Sequence, residues 1–459
     1  MVLNKSNFAQ TLHKKRVSGK FAILFFIISM GCCSCSEEYY SEQSEVQKNQ
    51  PEPPAPDVYL AGIVGDGIHS KATYWKNGNA VTLTDGSNYA EALSIVVSNE
   101  DVFVAGYENN GTYNVAKYWK NGIAVPLTDG KSTAMAYSIT LSGNDVYVAG
   151  YESKSTVSTA KYWKNGEAVS LTDGTNDAKA YSIVVAGNDV YVAGDEYNGR
   201  NYVAKYWKNG QPISLTDGSK DAHAYSIAVS GTEVYVAGSE MVGRNGNMVA
   251  EFWKNGTVFH LTDGSKNARS NSITVSETDV YTAGAEYKDG SFFVAKYWMN
   301  GEAVALTDSS NYSVANSIVV DDHDIYLAGK ELHGAFKQDS SVALYWKNGS
   351  EAPLQNPSQS GGWTNAVFIS RNSDQEKDKN SYGKDKNIQR EEYYHTITFP
   401  NENGSMKTGS RSSGGIFSSI FKHSKNTTKQ NTITKNKVPF PRIRLSNPGK
   451  HSIVRFSRK

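Results

Sequence analysis

Between Thr73 and Pro357 short apolar runs alternate with clusters of turn residues, and the pattern returns at a fixed period. The stretch AKYWKNGEAVSLTDG at 160–174 occurs six more times with small changes. Within one unit the runs SIVV, DVYVAG, AKYW and AVSL are each four to six residues long and rich in Val, Ile, Tyr and Trp. Runs of that length and composition, bounded by turn residues, predict strands. Each repeat therefore supplies four strands, and no stretch of it shows a helical period of 3.6.

The tryptophans mark the repeat. Trp75, Trp119, Trp163, Trp207, Trp253, Trp298 and Trp346 are spaced 44, 44, 44, 46, 45 and 48 residues apart, a period that indicates a solenoid or a propeller. Two other signatures keep step with them, an Ala-Gly pair ending DVYVAG and a Ser-Ile pair opening SIVVSG. Asn-Gly between the third and fourth runs, as at Asn165-Gly166 and Asn209-Gly210, is a strong hairpin signal because both central residues of such a turn take positive φ. Gly143-Asn144-Asp145 and Gly187-Asn188-Asp189 serve the first hairpin in the same way.

The phase of the repeat decides between solenoid and ring. The chain enters at a second strand (57–62) and its last unit stops after a first strand (366–370). A linear stack gains nothing from this, whereas a ring gains a complete blade whose innermost strand comes from the C-terminal end. Closure also removes exposed sheet edges. The expected fold is all-β, a seven-bladed β-propeller over residues 57–370 with four antiparallel strands per blade. Over that span the chain resembles bacterial β-propeller proteins with short tryptophan-containing repeats. It is loosely similar to kelch propellers but lacks their Gly-Gly doublet, and the resemblance carries no catalytic motif.

Composition adds the ends. Residues 1–34 have a basic start, an apolar run from Phe21 to Met30, and then Gly31-Cys32-Cys33-Ser34-Cys35, which reads as a secretory signal too short to span a bilayer. All three cysteines lie there, so the mature chain has no disulfide. The cluster looks like the lipidation box of bacterial lipoproteins. Cys35, followed by Ser36-Glu37-Glu38, resembles the acidic export tag of surface lipoproteins and is preferred over Cys32. An outer-membrane lipoprotein facing outward is expected, with 35–56 as a tether stiffened by PEPPAP.

Charge divides the rest. Residues 35–370 hold 23 Lys and Arg against 39 Asp and Glu, a balance of −16, while 371–459 hold 19 against 7, a balance of +12. The near-zero total hides this. The tail, rich in Ser, Asn, Thr and Lys, reads as a disordered extension dispensable for the propeller. A cationic arm touching acidic protein, lipid headgroups or nucleic acid is the other reading.

Candidate chemistry is sparse. There is no phosphate-binding Gly-rich loop, HExxH or GxSxG motif, nor His and Cys at metal-ligand spacing, so neither metal nor cofactor is expected. The repeated Asp of LTDG is assigned to an Asx turn, and the Tyr-Trp pair to blade packing. Positions that differ among near-identical copies are more informative, because the shared fold does not require them. The loop between second and third strands varies, most at 239–248 and 330–341. One site before the inner strand reads Glu91, Met135, Lys179, His223, Arg269, Val314 and Trp363. Two residues on come Leu93, Tyr137, Tyr181, Tyr225, Asn271, Asn316 and Asn365. These place aromatics and amides on one face of the disc. They suit a non-enzymatic monomer binding glycans at the cell surface, without nucleic acid. A protein-interaction scaffold is the alternative, and an enzyme built from Lys179, His223 and Arg269 comes third.

Overall fold

The computed structural model describes residues 55–65, 69–288, 292–308, 310–333, 341–354 and 361–371, and the backbone of 392–400 and 406–414. Seven four-stranded antiparallel sheets form the ring. Blade 1 comprises Ala90–Ser98, Asp101–Asn109, Asn114–Lys120 and Ile123–Pro126, running from the axis outward. Blades 2 to 6 repeat it over 134–170, 178–214, 222–260, 268–305 and 312–351. Blade 7 is shared between the ends, Gly362–Ser370 forming the inner strand beside Asp57–Val64, with Lys71–Lys76 and Asn79–Thr82 outside. This is the closure that the repeat phase required.

The repeated residues now have physical roles. The seven tryptophans are at most 1% exposed, each wedged between blades, where an aromatic ring removes roughly 150–250 Å² from water. At the outer hairpin, Asn165 and Gly166 take φ of 52° and 87°. The Asn side chain also ties two turns together, since Asn165 Nδ2 donates to Asp145 Oδ1 (2.7 Å) and Oδ1 accepts from Val146 N (2.8 Å). The first hairpin differs from the Asn-Gly type, because Gly143 alone of its central pair has positive φ (56°).

The Ala-Gly pair answers to a β-bulge. In every inner strand the register slips by one residue, as between Ala136 and Ser138, leaving Tyr137 unpaired. The displaced backbone drives the Met135 carbonyl against Gly150, where a Cβ would lie 1.9 Å from that oxygen. Only glycine fits. The Ser-Ile pair links blades: Ser94 Oγ accepts from Ile139 N (3.1 Å), and Ser138 Oγ from Ile183 N (3.1 Å). The chain of such bonds continues to Val367 N and Ser317 Oγ (3.3 Å).

At the seam between blades 7 and 1 that serine is replaced by Ala366, and a different clasp appears. Glu91, fully buried, accepts from Trp363 Nε1 (2.8 Å), Asn365 Nδ2 (2.9 Å) and Tyr107 Oη (3.0 Å). Arg371 adds a second clasp, its Nη2 reaching Asp321 (2.8 Å) and Asp322 (2.6 Å) in blade 6. Within the basic tail, Glu392–Pro400 and Met406–Gly414 form an antiparallel hairpin that meets the inner strand of blade 3 at Ile183↔Thr396. The run YYHTITF at 393–399 carries the aromatic and β-branched residues that favour a strand. The remainder of 372–459 lies outside the described residues. So do residues 1–54, including Cys32 and Cys35.

Candidate functional site

The Asp residues of LTDG are turn formers. Asp85 Oδ1 accepts from Ser87 N (2.8 Å), Asp173 Oδ1 from Thr175 N (2.9 Å) and Asp308 Oδ1 from Ser310 N (2.9 Å). Hydroxyl hydrogen bonds from Ser87, Thr175 and Ser310, followed by these backbone bonds, hold the exposed carboxyls below the usual range. Among the described residues no group of three His, Cys, Asp or Glu side chains has metal-binding geometry.

The variable positions converge at the mouth of the ring, where the inner strands begin and the second strands end. The register brings a further variable position opposite the first. Glu91 pairs with Tyr107, Met135 with Tyr151, Lys179 with Asp195, His223 with Ser239, Arg269 with Ala285, Val314 with Lys330 and Trp363 with Ile63. This residue immediately follows each Ala-Gly pair. Aligning the copies on that pair would have exposed it in the sequence.

The bulged positions are built into the packing. Tyr137, Tyr181 and Tyr225 are 0%, 2% and 4% exposed, with ring centroids 5.7 Å apart along the arc. Burial raises all three hydroxyl pKa values, for Tyr181 with the Asp195 charge adding to it, so they stay neutral. Asn271, Asn316 and Asn365 are also buried. Each donates to the next blade, Asn271 to Ala315 O (3.0 Å), Asn316 to Thr364 O (2.9 Å) and Asn365 to Ala92 O (3.0 Å). The aromatic and amide arcs therefore join blades, the amide N–H groups directed at protein carbonyls. Trp363 is likewise buried, bonded to Glu91.

Lys179, His223 and Arg269 remain partly accessible, in consecutive blades. The His223 Nδ1 lies 2.5 Å from Asp195 Oδ2, and Asp195 Oδ1 accepts from Tyr181 Oη (3.2 Å). The imidazole stacks on Tyr225 and meets Tyr202 at a tilt, with centroids at 5.6 and 5.4 Å. Tyr202 Oη donates to Asp177 Oδ2 (2.9 Å). Lys179 Nζ sits 5.6 Å above the Tyr151 ring and 4.0 Å from Asp177. Arg269 Nη2 donates to Tyr312 Oη (3.3 Å), with the guanidinium 5.8 Å above the Phe293 ring. Tyr197, Tyr202, Phe293 and Tyr287 line the rim, Tyr287 being 38% exposed. The structure thus groups three basic side chains with a belt of aromatic faces.

Blade 4 holds a departure the sequence reading passed over. Blades 1, 2 and 3 carry a Lys in the third strand bonded to a Glu of the second, as in Lys161–Glu152 at 2.6 Å. Blade 5 repeats the pair as Lys296–Glu286. Blade 4 has Glu251 at that place, fully buried, facing the side of the sheet that carries Glu240. Burial first, then the charge of Glu240, pushes Glu251 up to about 8.

No protein-family description matches the sequence, and no curated protein does. Among solved structures the chain is similar to a puromycin-hydrolyzing peptidase of Mycobacterium tuberculosis, at 10% identity and a TM-score of 0.44, covering 75% of this chain and 58% of that one. It is also similar to the β-propeller domain of the Trilobed protease from Pyrococcus furiosus, at 10% identity and a TM-score of 0.39, covering 66% and 98%. TolB of Acinetobacter baumannii gives 10% identity and a TM-score of 0.35, covering 58% and 67%. The chain thus spans little more than half of the peptidase it resembles. These likenesses concern the propeller scaffold.

Proposed function

We propose that this propeller is a non-enzymatic binding protein that captures glycans or polysaccharide on its variable face. The observation that carries the reading is the convergence of copy-to-copy differences at one end of the ring, where accessible polar groups alternate with aromatic faces. Sugars present both apolar ring faces and hydroxyls, so such a belt matches their chemistry. Seven near-equivalent edges on one rigid disc also favour a repetitive polymer, because several weak contacts gain avidity.

The N-terminal cysteines complete the proposal. Cys35, or Cys32, would carry the lipid that holds the disc at the outer membrane, with the variable face reaching outward on the 35–56 tether. Palmitate labelling that disappears when the acceptor cysteine becomes Ala tests the anchor.

A glycan array with the purified chain, compared with a Tyr202→Ala, Tyr287→Ala double variant, tests the binding. Specific array signal, lost in the variant at an unchanged melting temperature, supports the proposal. No array signal together with recovery of one protein partner would favour a scaffold. The unequal loop 239–248, which carries the 3-10 turn Arg244–Gly246, would supply that interface.

A further inference from the structure

We infer that the sector of the mouth over blades 3 to 5 selects anionic sugars, an inference that rests on the glycan-binding reading and narrows it. The repeat position before each bulge is basic only in three consecutive blades, at Lys179, His223 and Arg269. In the other four it is Glu91, Met135, Val314 and Trp363. Three basic side chains from one variable site therefore stand side by side in a segment, residues 35–370, whose overall balance is −16.

Opposite Lys179 stands the buried Asp195, which is bonded to His223, and the residues opposite His223 and Arg269 reinforce the choice. Blades 1 and 2 fill the paired position with Tyr107 and Tyr151, and blade 6 with Lys330, which lies over Tyr312 and Trp363 at 5.7 and 5.1 Å. Blades 4 and 5 place Ser239 and Ala285 there, so the bulk beneath His223 and Arg269 is smallest where the charge is.

Asp195, Asp177, Asp221, Glu196 and Glu286 of this sector are engaged by the protein. Asp195 is fully buried and bonded to His223 and Tyr181. Asp177 accepts from Ser158 N (2.9 Å) and Tyr202 Oη (2.9 Å). Glu196 is paired with Lys205 at 2.6 Å and Glu286 with Lys296, and burial raises the Glu240 pKa. By contrast, Asp195 meets the Nδ1 side of His223, and no bond to Nε2 is seen among the described residues. Lys179 has Asp177 only at the 4.0 Å limit of an ion pair.

An anionic substituent reaching the mouth thus meets an ammonium and a guanidinium, donors suited to carboxylate or sulfate oxygens, with the His223 imidazole between them in the intervening blade. Tyr202, Tyr287 and Phe293 offer ring faces for the sugar itself. The shared chemistry is an acidic group on a pyranose, borne by a uronic acid or a sulfate ester.

Titration calorimetry on the full chain tests this with oligogalacturonate, its methyl-esterified counterpart and a sulfated galactan. At least one acidic ligand should bind about tenfold more tightly than the neutral ester. Its affinity should fall with added salt and drop about tenfold or more in a Lys179→Gln, His223→Gln double variant. A Lys131→Gln control, on an exposed turn, should bind as the parent does. Which acidic ligand binds identifies the substituent. Equal affinity for ester and acids, or unchanged affinity in the double variant, overturns the inference. Neutral glycans captured on the array without any acidic ligand binding would defeat it while leaving the broader reading standing. No glycan binding of any kind removes both.

Discussion

Replacing Glu251 by Lys should stabilise this protein, and the gain should grow with pH. In blades 1, 2, 3 and 5 the equivalent ammonium meets the second-strand carboxylate, at 2.6 Å in the first three. In blade 4 both groups are acids. Glu251 is fully buried with no hydrogen-bond donor on either oxygen. His260 Nδ1 comes within 2.8 Å of Oε2 but off the direction of a hydrogen bond, and its ring is half in solvent, so it gives proximity rather than a firm pair. The other groups nearby are Glu240 and, beyond it, Asp217, both acidic.

The folded pKa of Glu251, about 8, lies above its ordinary 4.5. The native state therefore holds a proton that the unfolded chain releases. The stability tied to that proton is fully present below pH 4.5 and is lost as pH rises through about 8. A shift of this size corresponds to about 3–5 kcal/mol at 1.36 kcal/mol per pKa unit, allowing for local relaxation. Thermal and urea unfolding at pH 5 and pH 8.5 measure it. The parent should lose several degrees between the two, Glu251→Gln should lose much less, and Glu251→Lys should exceed the parent at pH 8.5. A Gln variant with the parent's pH slope, or a Lys variant less stable at pH 8.5, would refute the reasoning.

The seam supplies two further predictions. Glu91→Ala leaves the buried Trp363, Asn365 and Tyr107 donors without their acceptor, which should cost about 3–5 kcal/mol in urea unfolding at roughly 1–3 kcal/mol per orphaned group; a loss under about 0.5 kcal/mol would show that Glu91 is no clasp. Ending the chain after Arg371 keeps both the inner strand of blade 7 and the Asp321 and Asp322 bonds. Its melting temperature should match that of the full chain, whereas ending it after Ser370 should lower the midpoint by a degree or two.

Most of the ring was legible in the sequence because its determinants are local and repeated seven times. Tryptophan spacing set the unit, Asn-Gly set one hairpin, and the phase of the first and last strands set closure. The mouth was only partly legible. Tyr137 stands two residues after Met135, and regular alternation puts residues i and i+2 on one side of a strand. The bulge inserts Tyr137 as an unpaired residue, its ring turns inward against Tyr151 and Tyr181, and the arc of tyrosines closes over itself. A bulge leaves no local signal beyond the glycine it forces on the neighbouring strand. That glycine recurs in every copy, but its partner carbonyl cannot be named from the sequence.

Variation among repeats carries different weight at different depths. At an exposed outer strand such as Glu167–Ser170 a change costs almost nothing, so copies drift there without meaning. A buried ionisable side chain is costly wherever it lacks partners. Three blades carry a buried carboxyl at a place where their neighbours do not: Glu91, Asp195 and Glu251. For Glu91 the cost is offset by donors that close the ring, and for Asp195 by His223 and Tyr181 at the proposed binding sector. Glu251 has no such compensation. If Glu251→Lys both stabilises the disc and leaves acidic-glycan affinity intact, the unfavourable pair belongs to blade 4 alone. If affinity falls while stability rises, the charge of blade 4 is coupled to the mouth through the second strand that carries both Ser239 and Glu240.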